Sequence, residues 1–146
     1  MHNIGAQTLV VDSDALIALF NTDDSNFSKA EALFNKLYEQ KVRLIYPSTA
    51  LVETVDTIQR RLKKYEVAKQ VVQLISSAEF AVESVESIDG GYLKEAVKYF
   101  KLESVNRKTL ADAIIVAVAN KNNADGIFSF DEWYKKLGYK IADDFH

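Results

Sequence analysis

Cysteine is absent from this 146-residue chain, and the two histidines stand at positions 2 and 146. No disulfide framework and no thiolate chemistry are available. Ser-His-Asp catalysis, Cys-His catalysis and zinc sites of the Cys/His type lose their donors. No apolar run approaches the roughly 18 residues of a membrane span. Residues 1–7 carry no basic region followed by a long apolar stretch, so no secretion signal is expected and a cytoplasmic location is the default. Proline occurs once and glycine five times, and no repeat, low-complexity segment or interdomain linker interrupts the chain. The length suits a single domain over residues 1–146, large enough for a proper core. Hydrophobic residues at 48% and charged residues at 27% are typical of a folded globular chain rather than a disordered one. The net charge of −3 neither advertises nor excludes a nucleic-acid partner, because the placement of charge matters more than its sum.

What is present is an alternation of short β-type runs with helical periods. Thr8–Val11 reads as a strand, a polar turn follows, and Ala15–Phe20 as a short buried helix. Phe27, Ala30, Leu33, Phe34, Leu37 and Tyr38 recur at helical spacing over residues 26–40. Val42–Tyr46 is a second strand, broken by Pro47, with Ser48 as the cap of a helix that runs through Leu51, Val55, Ile58 and Leu62. A helix over 65–76, a third strand within Glu79–Val85 and a helix over 88–100 come next, the last weakened at its start by Gly90-Gly91. Leu102–Lys108 reads as a loop. Thr109 opens a helix that is apolar nearly all round and therefore interior. Ile127–Phe128 is a fourth strand, Asp131–Leu137 a short helix, and Tyr139–Ala142 a candidate fifth, edge strand. Such an order specifies an α/β fold, with a parallel sheet of four to five strands covered on both faces.

In sheets of this kind the functional crevice lies beyond the carboxyl ends of the strands. Four acids fall at that edge: Asp12 after the first strand, Glu53 a turn into the helix after the second, Asp112 in the first turn of the buried helix, and Asp131 after the fourth. Each has a structural explanation as well. Asp12 and Asp131 suit helix caps, Thr109–Asp112 fits a capping box, and Glu53 suits a surface ion pair. The joint pattern favours function. Two carboxylates about 5 Å apart repel by roughly 3 kcal/mol at an effective dielectric near 20. Protonation or a bound cation relieves this. An acid-only donor set favours magnesium or manganese over zinc, and the chemistry such an ion brings is phosphodiester hydrolysis.

Four segments carry a resemblance: Val10-Val11-Asp12-Ser13-Asp14-Ala15-Leu16-Ile17-Ala18-Leu19, Pro47-Ser48-Thr49-Ala50-Leu51-Val52-Glu53, Leu110-Ala111-Asp112-Ala113-Ile114-Ile115-Val116-Ala117 and Ile127-Phe128-Ser129-Phe130-Asp131. Together the sequence resembles PIN-domain ribonucleases, most closely the VapC-type toxins of VapBC toxin–antitoxin pairs. The resemblance implies a three-layer α/β/α sandwich. It implies Asp12, Glu53, Asp112 and Asp131 as catalytic ligands of Mg2+ or Mn2+, with Ser13, Asp14 and Ser129 as polar groups beside them. It implies endonucleolytic cleavage of RNA that leaves 5′-phosphate and 3′-hydroxyl ends. Two protein partners follow from it, a second copy of the chain and a small antitoxin that blocks the site. Asp14 departs from the small uncharged residue common in relatives, and Glu132 adds a further acid beside Asp131.

Arg60 and Arg61, in the densest basic run, and Lys108, at the presumed active edge, are candidates for contact with RNA phosphates. Arg107, Lys135, Lys136 and Lys140 are further basic residues near that edge or the chain end. Phe20, Phe34, Phe100 and Phe128 sit in core-like patterns, while Trp133 and Tyr134 suit either base stacking or packing against the sheet. Two other readings compete. Val10-Val11-Asp12-Ser13-Asp14 also resembles the nucleophile motif of haloacid-dehalogenase-like phosphatases, with Asp143-Asp144 as a late acidic pair, although this leaves Glu53 and Asp112 without a role. A non-catalytic RNA- or protein-binding module is the third.

Overall fold

The structure, a computed structural model, describes residues 7–77, 79–80, 84–100 and 108–145. Four strands build one sheet: β1 (Thr8–Val11), β2 (Arg43–Pro47), β3 (Val85–Glu86) and β4 (Gly126–Phe128). All are parallel, in the order β3-β2-β1-β4. The helices are α1 (Ser13–Phe20), α2 (Phe27–Glu39), α3 (Ser48–Asp56), α4 (Tyr65–Ile75), α5 (Gly90–Val97), α6 (Leu110–Lys121) and α7 (Trp133–Lys136). A π-helical turn, Thr57–Arg61, continues α3, and a short 3-10 turn covers Ala142–Asp144.

Alternation along the strands sends side chains to opposite faces of the sheet. Val10, Ile45 and Ile127 pack on one side with Ala96 of α5 and the run Ala113–Ala119 of α6. Leu9, Val11, Tyr46 and Phe128 pack on the other with Ala15 and Leu16 of α1 and Leu33 and Leu37 of α2. The sheet is thus sandwiched between two helical layers. A smaller cluster of Ile58, Ala68 and Val71 ties the π-helical turn to α4. The apolar helix expected after Thr109 is α6, whose residues from Ala113 to Ala119 are all buried. No helix among the described residues is long and apolar enough to cross a membrane.

Several boundaries differ from expectation for local reasons. The third strand is Val85–Glu86 rather than a segment within Glu79–Val85; Glu79 and Phe80 are helical, and residues 78 and 81–83 lie outside the described residues. Pro47 does not break β2 but ends it, paired in register with Glu86 and serving as the cap residue of α3. Ser48 is the first residue of α3, and its hydroxyl accepts from the Ile88 N–H at 3.1 Å instead of capping. The edge strand expected at Tyr139–Ala142 reduces to one parallel bridge, Lys140 to Gly126. There the backbone approaches closely: a Cβ on Gly126 would meet the Lys140 carbonyl at 2.9 Å and the Phe145 ring at 2.6 Å. The helix after Asp89 does begin at the Gly-Gly pair, because the Asp89 carboxylate caps it by accepting from Tyr92 N–H at 3.0 Å. The loop expected at Leu102–Lys108 falls outside the described residues apart from Lys108.

Candidate metal centre

The carboxyl ends of β1 and β4 are neighbours, with Asp12 N–H donating to the Phe128 carbonyl at 3.1 Å. The chain leaves β1 at Asp12, which caps α1 as expected: its Oδ1 accepts from Ser13 N–H at 2.8 Å. Asp12 is buried, as are Ser13 and Ser129. Its Oδ2 accepts from the Tyr134 hydroxyl at 2.7 Å, and the same hydroxyl oxygen lies 3.5 Å from Asp112 Oδ1. One phenol therefore stands between two carboxylates. It carries a single proton, so the shorter contact to Asp12 is its hydrogen bond.

Asp112 forms the capping box expected of Thr109–Asp112. Its Oδ2 accepts from Thr109 N–H at 3.0 Å, while its own N–H donates to Thr109 Oγ1 at 3.2 Å. The capping role and the position at the carboxyl edge of the sheet coexist: one oxygen is engaged at the helix start and the other faces Tyr134. Glu53, half-buried on α3, accepts a hydrogen bond from the Ser13 hydroxyl and is thereby joined to the start of α1. It also lines an open cleft of about 450 Å³ with Ser48, Thr49, Val52, Asp56 and Thr57.

Asp131 follows β4. Its Oδ1 accepts from Trp133 N–H at 2.9 Å, and its Oδ2 pairs with the Lys108 ammonium at 2.5 Å. Its N–H donates to Ser129 Oγ at 3.1 Å. Asp14 is turned toward this loop: Oδ2 accepts from Phe130 N–H and Oδ1 from Ala15 N–H, both at 2.8 Å, and the Ser129 hydroxyl bonds it as well. Asp14 thus spans β1's exit and β4's exit, a structural task for the acid that departs from the family pattern.

These groups crowd charge. Burial, then the charge of Asp14 and that of Asp112, push Asp12 well above the ordinary carboxylate range, against hydrogen bonds from Tyr134 and Ser13 that pull it down. Burial also raises Asp14, opposed by its donors from Phe130, Ser129 and Ala15. Burial and the nearby charges of Asp12 and Asp112 push the Tyr134 phenol well up, so it stays protonated and able to donate.

The residues are linked in two sets, Glu53–Ser13–Asp12–Tyr134–Asp112 and Asp14–Ser129–Asp131–Lys108. Among the described residues no three Asp, Glu, His or Cys side chains stand together in a ready-made cage for an ion. The donors are nonetheless hard oxygens, and a cation, the Lys108 ammonium, already sits on one of them. That chemistry fits Mg2+ or Mn2+ and not a thiophilic metal.

Other sequence expectations are revised. Tyr134 is fully buried, which removes it from base stacking and gives it the carboxylates as partners. Sequence reading missed that role; the available signal was a tyrosine one helical turn after Asp131. Lys108 is paired with Asp131. Arg60 and Arg61 are exposed on the π-helical turn. That wider turn, with Leu62 N–H bonding Thr57 O at 3.0 Å, shifts Arg60 out of the phase an uninterrupted α-helix from Glu53 would give it. Arg107 lies outside the described residues. Asp144 pairs with Lys135 at 3.1 Å and accepts from Ile141 N–H at 3.0 Å, so this member of the late acidic pair is tied into the chain end. A second cavity, about 950 Å³, is mainly apolar; Leu16, Phe34, Tyr46, Val71 and Phe80 are among the residues that line it, and none of the edge acids does.

A three-layer fold with acids at the carboxyl edge of a four-stranded parallel sheet defines a class, and the chain belongs to the PIN domain family, whose description matches residues 9–139. In three dimensions it is similar to VapC20 of Mycobacterium tuberculosis, described as a Sarcin-Ricin loop cleaving toxin, with a TM-score of 0.74 and 21% identity. The match covers 90% of this chain and 96% of that one. No match was found among curated protein sequences.

Proposed function

We propose that this PIN domain is a metal-dependent endoribonuclease of the toxin type, acting through Asp12, Glu53, Asp112 and Asp131. The observation that carries the reading is the Asp12–Tyr134–Asp112 arrangement, two carboxylates against one buried hydroxyl. Family membership and the likeness to a toxin that cleaves the Sarcin-Ricin loop support RNA as the substrate.

In this reading Asp12 and Asp112 hold the ion through the lone pairs that Ser13, Tyr134 and Thr109 leave open. Glu53 and Asp131 flank them. A bound Mg2+ or Mn2+ supplies Lewis-acid polarisation of the phosphate and a water of lowered pKa. The protein's share is orientation. Tyr134 keeps Asp12 in one rotamer, the Thr109 box fixes Asp112, and Ser13 steers Glu53 toward the same edge. Arg60 and Arg61 are the exposed cations offered to flanking phosphates. A second copy of the chain and a small antitoxin are the protein partners that go with a toxin role.

Purified protein, incubated with structured RNA carrying a Sarcin-Ricin loop and separately with a generic phosphate monoester, each with Mg2+ or with chelator, tests this. Cleavage of the RNA that chelator abolishes supports the proposal. Monoester turnover supports the phosphatase reading instead, and metal-independent RNA binding without cleavage supports a non-catalytic module.

A further inference from the structure

Lys108 is paired with one of the edge acids. Its ammonium lies 2.5 Å from Asp131 Oδ2, with the two side chains 18% and 31% exposed. Among the described residues this is the one salt bridge that any of Asp12, Asp14, Glu53, Asp112 and Asp131 makes. The other oxygen of Asp131 accepts from Trp133 N–H at 2.9 Å; Asp12 likewise has a protein donor on each oxygen, so what sets Asp131 apart is the positive charge of its partner. The Trp133 ring lies beneath the ammonium, 5.7 Å from nitrogen to ring centre, and holds it from the far side by cation–π attraction. Lys108 also immediately precedes Thr109, the cap of the helix that carries Asp112. The lysine is therefore fixed at its backbone by one side of the centre and at its tip by the other.

The pairs differ accordingly. Asp12 and Asp112 face each other across a neutral phenol, with no cation between them. Asp131 already has its positive charge. A dication arriving at Asp131 must displace a hydrogen-bonded, partly desolvated ammonium, whereas one arriving at Asp12 and Asp112 displaces nothing of like charge.

We propose that Lys108 is a built-in cation standing in for a metal ion at Asp131, so that the centre takes one divalent ion, at Asp12 and Asp112, and not two. Lys108 acts here as a positioning residue and as the determinant of metal count. The inference rests on the metal-dependent reading given above.

Bound Mn2+ per chain, counted by electron paramagnetic resonance of the free ion, tests it in the wild type, Lys108→Met and Lys108→Arg. The expected counts are one, two and one. Trp133 gives an independent readout, since it is the sole tryptophan. Its emission should stay nearly constant as diamagnetic Mg2+ fills the wild-type site, and should change in Lys108→Met as a second ion reaches Asp131. Circular dichroism melts establish that both variants are folded. Equal counts in wild type and Lys108→Met overturn the role of Lys108 while leaving the metal-dependent reading intact. Absence of Mn2+ from all three proteins overturns that reading and this inference together.

Discussion

The Tyr134 hydroxyl donates to Asp12 at 2.7 Å from a ring that is wholly buried. Phenylalanine at this position would keep the packing and remove the one side-chain donor that Asp12 has among the described residues. Tyr134→Phe is expected to remain folded, with a stability loss of about 1–2 kcal/mol. It should lower RNA cleavage by on the order of 10-fold. Without its donor Asp12 holds its proton to higher pH, so the acid limb of the kcat/KM profile should move upward. An unmoved acid limb would make Tyr134 a packing residue only.

The same crowding makes the metal-free protein sensitive to pH. Burial raises Asp12 and Asp14 in the folded chain above the ordinary value of 3.8. A raised carboxyl binds its proton more tightly when folded. Its contribution is whole below the unfolded value and is lost as pH climbs through the folded one. In chelator, Tm should therefore fall as pH rises from about 4 toward neutrality. Asp12→Asn, which keeps the size and removes the charge, should be the more stable protein at neutral pH by on the order of 1–2 kcal/mol, or about 4 °C. The gap should close at acid pH. Added Mn2+ should raise the wild-type Tm and leave Asp12→Asn nearly unchanged. Differential scanning calorimetry across pH measures all three.

Much of this was legible in the chain, for identifiable reasons. Parallel strands buried on both faces leave short apolar runs, and Val10-Val11 and Ile127-Phe128 are such runs. The helix from Leu110 announces itself because it is apolar all round, and the Thr109–Asp112 cap is a local pattern of four residues. Two features resist sequence reading because they depend on distant partners. The third strand is two residues long and is defined by pairing with Tyr46 and Pro47 rather than by its own composition. Tyr134 reads as an ordinary aromatic until the fold brings Asp12, 122 positions away, against its hydroxyl. Lys108 likewise looks like a loop cation until Asp131 arrives beside it. The π-helical turn at Thr57–Arg61 has no marker residue.

Arg60 and Arg61 stay exposed, and they are the residues on which RNA affinity should depend through charge alone. Arg60→Ala and Arg61→Ala should each weaken RNA binding across sequences and reduce the slope of log K against log salt by up to about 1. Fluorescence anisotropy with labelled RNA from 50 to about 300 mM salt reads this slope. Unchanged slopes would place the RNA on another face of the domain.

The central claim is that Asp12 at the end of β1 and Asp112 at the start of α6 would hold a divalent ion needed for RNA cleavage. Asp112→Asn tests it most directly, because asparagine retains the Thr109 cap while removing the charge. Single-turnover cleavage of a Sarcin-Ricin loop RNA in Mn2+ should fall by at least about 100-fold in this variant, with the Tm preserved within a few degrees. Cleavage at the wild-type rate by folded Asp112→Asn would contradict the account.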